Sequence, residues 1–231
     1  LYLSTMRSNG QWTRPVNISN SFTRKASSYS FLAPSVDEKG KVLYFASDMK
    51  GGFGGTDIYY CKYDEKRNRW GTPVNMGDQV NTNGDELYPC VKNDTLLFSS
   101  NGLLGYGDQD IFMKKISATN EPAVHLPYPV NTQFKDTNPM FDSKSNTIFF
   151  ASDRNSQKVG YVLEQVYSLV SSLTDLIARG GKLPVEEKPA QKDTTGIDQI
   201  KELVADKAKP SLKDTLDVIH FDFNKYIINK D

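Results

Sequence analysis

Residues 31–60, FLAPSVDEKGKVLYFASDMKGGFGGTDIYY, set out a three-strand unit in one pass. FLAPSV and VLYFAS carry the β-branched and aromatic residues that suit a pleated surface, and DEKGK between them supplies the polar residues and the glycine of a tight turn. MKGGFGGT then offers a loop in which glycines accept backbone conformations closed to other residues, and DIYYCKY resumes as a third strand. In the second and third strands apolar residues stand next to one another instead of strictly alternating. That pattern predicts a sheet buried on both faces.

The unit repeats. VLYFASD at 42–48 returns as TLLFSSN at 95–101 and TIFFASD at 147–153, with Phe45 and Phe98 53 residues apart and Phe98 and Phe150 52 apart. The third strand returns with it, Asp57 and Asp110 being 53 residues apart. A strand entry precedes each copy, FLAPSV at 31–36, LYPCV at 87–91 and NPMF at 138–141, and the turns between are DEKGK, KND and DSKSN. Pro-Val-Asn at 15–17, 73–75 and 129–131 reads as a fourth marker, spaced 58 and 56. A supersecondary unit recurring at about 53 residues cannot bury both faces alone and must stack on its neighbours, which is the logic of a β-propeller of four-stranded blades. Residues 1–160 hold an incomplete set: the last two strands of one blade, two whole blades, and half of another. The chain opens mid-pattern at Leu1, so an upstream signal, lipid anchor or domain is expected before it.

Beyond residue 160 the pattern changes. Over 161–181, Val162, Val166, Leu169, Val170, Leu173, Leu176 and Ile177 recur at three- and four-residue steps, and Gly180 and Gly181 provide a stop. This spacing predicts an amphipathic helix that docks on the propeller or pairs with a partner. Residues 182–215 are rich in Pro, Lys, Glu, Asp and Thr, a linker with one short helix in GIDQIKELVADKAK. TLDVIHFDFNKYIINKD at 215–231 reads as a strand over 218–223 followed by a helix start.

Composition narrows the function classes. Lys and Arg number 28 and so do Asp and Glu, so no net charge steers the chain to nucleic acid or to an anionic membrane. No apolar run approaches the length of a transmembrane helix. The two cysteines, Cys61 and Cys90, sit in predicted strands without a CxxC spacing and read as buried free thiols.

The repeat unit resembles the TolB-like, WD-repeat-like propeller repeat of gram-negative envelope proteins. Pro34, residues 37–40, 44–48, 51–55 and 57–59 carry the match in the first copy, and Pro89, residues 97–100, Gly105, Gly107 and residues 110–112 carry it in the second. Residues 218–231, with His220, Phe221, Asp222, Phe223 and Asn224 foremost, resemble the entry of the OmpA C-terminal family, an α+β domain that clamps peptidoglycan. That order of parts is similar to envelope proteins with a propeller and an OmpA-like anchor, including components associated with type IX secretion. The resemblance implies a periplasmic, outer-membrane-associated lipoprotein whose propeller loops bind an envelope or secretion-system protein. The family's ligand-binding Asp and Arg lie further along its fold than Asp231, so no peptidoglycan-binding residue carries over.

The chemistry of individual residues points the same way. Asp48, Asp57, Asp108 and Asp110 crowd the Gly-rich loops, where they cap backbone amides or ligate calcium, and the spacing favours caps because no bidentate Glu closes a loop. Trp12 and Trp70 follow RSNGQ and EKRNR, a spacing similar to the Asp-box turns of sialidase-like propellers, and the favoured expectation is that they pack between blades. His125 and His220 have no Ser, Cys or carboxylate arrangement that defines a triad, and GGFGG lacks the Lys and helix of a phosphate loop. The expectation is a non-enzymatic scaffold with no cofactor, metal or catalytic residue. The competing expectation is a carbohydrate-binding or hydrolysing propeller with Phe53, Tyr106 and Trp70 lining its pocket.

Overall fold

The computed structural model describes residues 1–142, 144–155 and 164–170, together with Asp175 and the strands Leu216–Phe221 and Ile228–Asn229. The described chain is built almost wholly of antiparallel strands. β1 (Tyr2–Leu3) and β2 (Val16–Asn17) pair as a ribbon. The first complete sheet runs β3 (Phe31–Val36), β4 (Val42–Ser47) and β5 (Asp57–Asp64), with its outer position shared by β6 (Arg69–Trp70) and β7 (Val74–Asn75). The second runs β8 (Glu86–Lys92), β9 (Thr95–Ser100), β10 (Asp110–Lys115) and β11 (Val124–His125). The third runs β12 (Asp136–Asp142), β13 (Thr147–Ser152), β14 (Gln165–Val170), β15 (Leu216–Phe221) and β16 (Ile228–Asn229).

Register shows that the sheets are copies. Phe45 faces Tyr59, Phe98 faces Phe112 and Phe150 faces Tyr167, and the rings of the three pairs sit 6.2, 5.9 and 5.7 Å apart. Each first strand bulges at the same place: Ala33, Tyr88 and Asn138 adopt φ of 47°, 55° and 52° just before Pro34, Pro89 and Pro139. A proline cannot donate to the ladder, and the bulge is where a missing donor is tolerated.

The sheets stack face to face, as the double-sided burial predicts. Leu43 and Phe45 turn to one side, into a cluster with Phe22, Tyr59, Cys61 and Trp70. Their neighbour Tyr44 turns to the other, joining Ile58 with Leu96, Phe98 and Phe112 of the next sheet. Leu97, Ile111 and Met113 in turn meet Ile148, Phe150, Tyr167 and Leu169. Period-two alternation thus feeds two separate cores from one strand.

Three expectations need correction. The helix predicted over 161–181 is instead a strand at Gln165–Val170, fully registered on β13 from Ser152↔Gln165 to Thr147↔Val170; the rest of that span, Glu164 and the helical Asp175 aside, lies outside the described residues. Val166, Leu169 and Val170 fit a helical stripe, but Val-Tyr-Ser-Leu-Val also fits a strand, and the open edge of β13 decides. Consequently the last sheet is not a half blade. β15 adds a fourth strand, Val166↔Ile219 to Leu169↔Leu216, where the OmpA-like strand was expected, and Ile228–Asn229 pairs back on it. The linker and its short helix lie outside the described residues.

The third correction concerns Pro-Val-Asn. Val16-Asn17 and Val74-Asn75 occupy the fourth-strand position, where Asn75 faces Tyr59. The equivalent in the second sheet is Val124-His125, His125 facing Phe112. The third Pro-Val-Asn lies six residues beyond that, in the connection between sheets. Its counterpart is Val80-Asn81, and Val80 and Val130 are both fully buried.

Candidate functional site: the loop end

Two kinds of segment meet at one end of the sheets. The Gly-rich loops 48–56 and 101–109 join the second and third strands, and the connections 76–85 and 126–135 lead from one sheet to the next. Their backbones interlock: the Gly55 amide donates to the Gly84 carbonyl at 2.9 Å, the Glu86 amide to Thr56 at 2.7 Å and the Asp136 amide to Gln109 at 2.8 Å. A Cβ on Gly54 would stand 2.4 Å from the Gly84 carbonyl oxygen, and one on Gly107 would stand 2.0 Å from that of Phe134. Glycine is required there because backbone meets backbone.

Each connection is pinned by a buried asparagine. Asn81 accepts from the Ile58 amide at 2.8 Å and donates to the Ile58 carbonyl at 2.9 Å. Asn131 does the same to Ile111, at 2.7 and 2.8 Å, and also donates to the Leu126 carbonyl. The next residue is a threonine that bonds an acid four positions on, through both amide and hydroxyl: Thr82 to Glu86, and Thr132 to Asp136. Burial pushes the Glu86 carboxyl above the usual carboxylate range, opposed by the hydrogen bonds it accepts from Thr82 and Ser100. Asp136 is fully buried and instead meets the Arg154 guanidinium at 2.6 Å, which itself lies over the Phe150 and Tyr167 rings.

Three of the four loop aspartates accept backbone amides, and Asp108 lines an open cleft instead. Asp48 accepts from the Ser30 amide, Asp57 from the Phe53 amide and the Asn75 side chain, and Asp110 from the Tyr106 and Gly107 amides. Among the described residues no group of three or more His, Cys, Asp or Glu is placed to hold a metal. His125 stands 3.5 Å from Asp110 with the ring of Tyr106 against it edge-on, and its Nε2 lies 3.0 Å from Asn131 Nδ2. His220 lies in β15.

The outward surface is chemically mixed. Leu104 at a loop tip is 94% exposed, Tyr128 62%, Phe53 52% and Tyr106 38%. Beside them an open cleft is lined by Asn83, Gly84, Asn101, Gly102, Asp108, Gln109 and Lys135. The side-chain oxygen Oε1 of Gln109 is buried and has no hydrogen-bond partner among the described residues. Trp70, expected beside Phe53 and Tyr106, is 7% exposed and packs on Tyr63 in the core, whereas Trp12, expected between blades, is 64% exposed. Sequence reading found the Gly loops and their aspartates. It missed Asn81, Thr82, Glu86 and their counterparts, although Val-Asn-Thr recurs at 80–82 and 130–132 with an acid four residues on.

No family model matches the chain, and no curated protein matches it. Among solved structures it is similar to TolB from Acinetobacter baumannii, at 13% identity and a TM-score of 0.41 over 71% of this chain and 33% of that one. It is also similar to a putative TolB from Agrobacterium tumefaciens, at 14% identity and a TM-score of 0.39 over 60% and 42%. A prolyl endopeptidase matches at 11% identity and 0.37 over 77% and 22%. The chain thus spans a third to two-fifths of the length of the two TolB structures.

Proposed function

We propose that this chain is a non-enzymatic scaffold of the cell envelope whose loop end holds a protein partner. The observation that carries the reading is the pairing of exposed apolar residues, Phe53, Leu104, Tyr106 and Tyr128, with loops whose backbones are clamped to one another. Apolar and aromatic anchors within a polar surround are the composition of protein interfaces, and loops held rigid before binding lose little freedom when a partner arrives. The envelope location rests on the resemblance of the repeat and of residues 218–231. On the same basis the C-terminal segment leads into a peptidoglycan anchor, docked through β15 on the last sheet, in an assembly of the secretion-machinery type.

Affinity capture from envelope extract tests the reading with two baits, the full chain and the full chain bearing Phe53→Ser, Leu104→Ser and Tyr128→Ser. All three positions are exposed, so folding is preserved. A protein retained by the first bait and lost from the second supports the proposal. Identical capture by both overturns it.

A further inference from the structure

The repeat exposes one residue that breaks its own rule. Cys61, Lys114 and Leu169 occupy the same position, opposite Leu43, Leu96 and Ile148. Cys61 and Leu169 are buried core residues, and Lys114 is buried too, with 4% of its surface exposed. Its ammonium donates to the carbonyls of Ala118 and Glu121, and among the described residues no carboxylate lies within ion-pair reach of it. A buried cation balanced only by carbonyl dipoles retains attraction for an anion. A sequence that places a charge where its sister blades place Cys and Leu is departing from consistency in the way functional positions do.

Beside Lys114 a cavity of about 320 Å³ opens between the first and second complete sheets. It lies toward the end opposite the Gly loops, since Val42 and Lys62, which line it, pair at the far end of β4 and β5 from Ser47 and Asp57. Tyr44, Tyr60 and Met76 form apolar wall, exposed Lys62 stands at the mouth, and no Asp or Glu lines the cavity. The Tyr44 and Tyr60 rings, 6.0 Å apart, both line the space. Burial, with the charges of Asp37 and Asp94 nearby, pushes the Tyr44 hydroxyl up to about 12, so it stays protonated; Asp37 itself is held by the Lys41 and Val42 amides and Asp94 by Ser117.

We infer that this cavity binds a small organic carboxylate with an apolar body, its charge toward Lys114 and Lys62 and its body on Tyr44 and Tyr60. The volume is that of about ten water molecules, which suits such a body and leaves apolar wall unused by an inorganic anion. The cavity takes Met76 and Gln79 from the 76–85 connection but shares no residue with the loop-end cleft, and it does not depend on the scaffold reading.

The test is titration calorimetry of the full chain with 3-phenylpropionate and octanoate, each beside its neutral amide, repeated on Lys62→Gln and Lys114→Met. The expected result is saturable binding of at least one acid at submillimolar Kd, with its amide about tenfold weaker or worse. Lys62→Gln, at an exposed position, is expected to weaken the acid about tenfold and leave the amide unchanged. Lys114→Met, confirmed folded by circular dichroism, is expected to abolish the preference for the acid; if it does not fold, the Lys62 variant decides. No saturable binding of either acid, equal affinity for acid and amide, or an unaffected Lys62→Gln would overturn the inference.

Discussion

Asn81 stands 23 residues from Ile58 and bonds both sides of its peptide backbone, amide to Oδ1 at 2.8 Å and Nδ2 to carbonyl at 2.9 Å. A strand edge is thereby closed by a side chain in place of another strand, and the connection that carries it is fixed to the sheet before it. Asn131 repeats the device on Ile111. Replacing Asn131 with Ala leaves the Ile111 amide buried and unpaired, while the Ile111 carbonyl keeps the Leu126 amide at 3.1 Å. The expected cost is about 1–3 kcal/mol, the penalty of one orphaned buried group, read as a lower midpoint in urea unfolding.

Gly54 faces backbone of the next connection, so Gly54→Ala must separate the two segments. A destabilisation of about 1–3 kcal/mol is expected, as for overpacking in a close-fitted interior. At Gly51 a Cβ meets nothing within 4 Å, and the whole cost comes from its φ of 92°. Thermal unfolding of Gly54→Ala and Gly54→Ser, the larger side chain costing more, separates crowding from conformation.

Glu86 gives a pH dependence with a definite sign. Its folded-state pKa is raised above the ordinary 4.5 by burial, so the folded state binds the proton more tightly than the unfolded chain. The stabilisation from protonation is complete below the unfolded value and is lost as pH rises through the raised folded value. Glu86→Gln cannot titrate. Its stability relative to the wild type therefore improves as pH is raised across that window, and a difference that stays flat from pH 4 to pH 8 contradicts the assignment.

Phe150 and Tyr167 stack at 5.7 Å only because residues 165–170 form a strand beside β13. A double-mutant cycle with Phe150→Leu and Tyr167→Leu is expected to give a coupling of about 0.5–1.5 kcal/mol. A helix docked elsewhere gives none.

The strands were legible because their markers are local: turn residues, β-branched runs and a fixed period survive in any one copy. What sequence missed depends on partners distant in the chain. The run Val166 to Val170 fits both periods, and only the free edge of β13 chooses between them. Pro-Val-Asn misled because two different positions share a tripeptide. Its spacings of 58 and 56 against a period near 53 were the available sign. Lys114 was invisible for a related reason: a lysine near the end of a strand reads as exposed until the register sets it opposite Leu96.

The measurement that bears most directly on the scaffold is site-specific photo-crosslinking in cells, with the reactive residue placed at Phe53, Leu104 or Tyr128 and, as controls at the opposite end, at Lys39 or Lys66. The account predicts a discrete protein adduct from the loop-end positions and none from the controls. Adducts of equal yield from both ends, or none from the loop end, would contradict it.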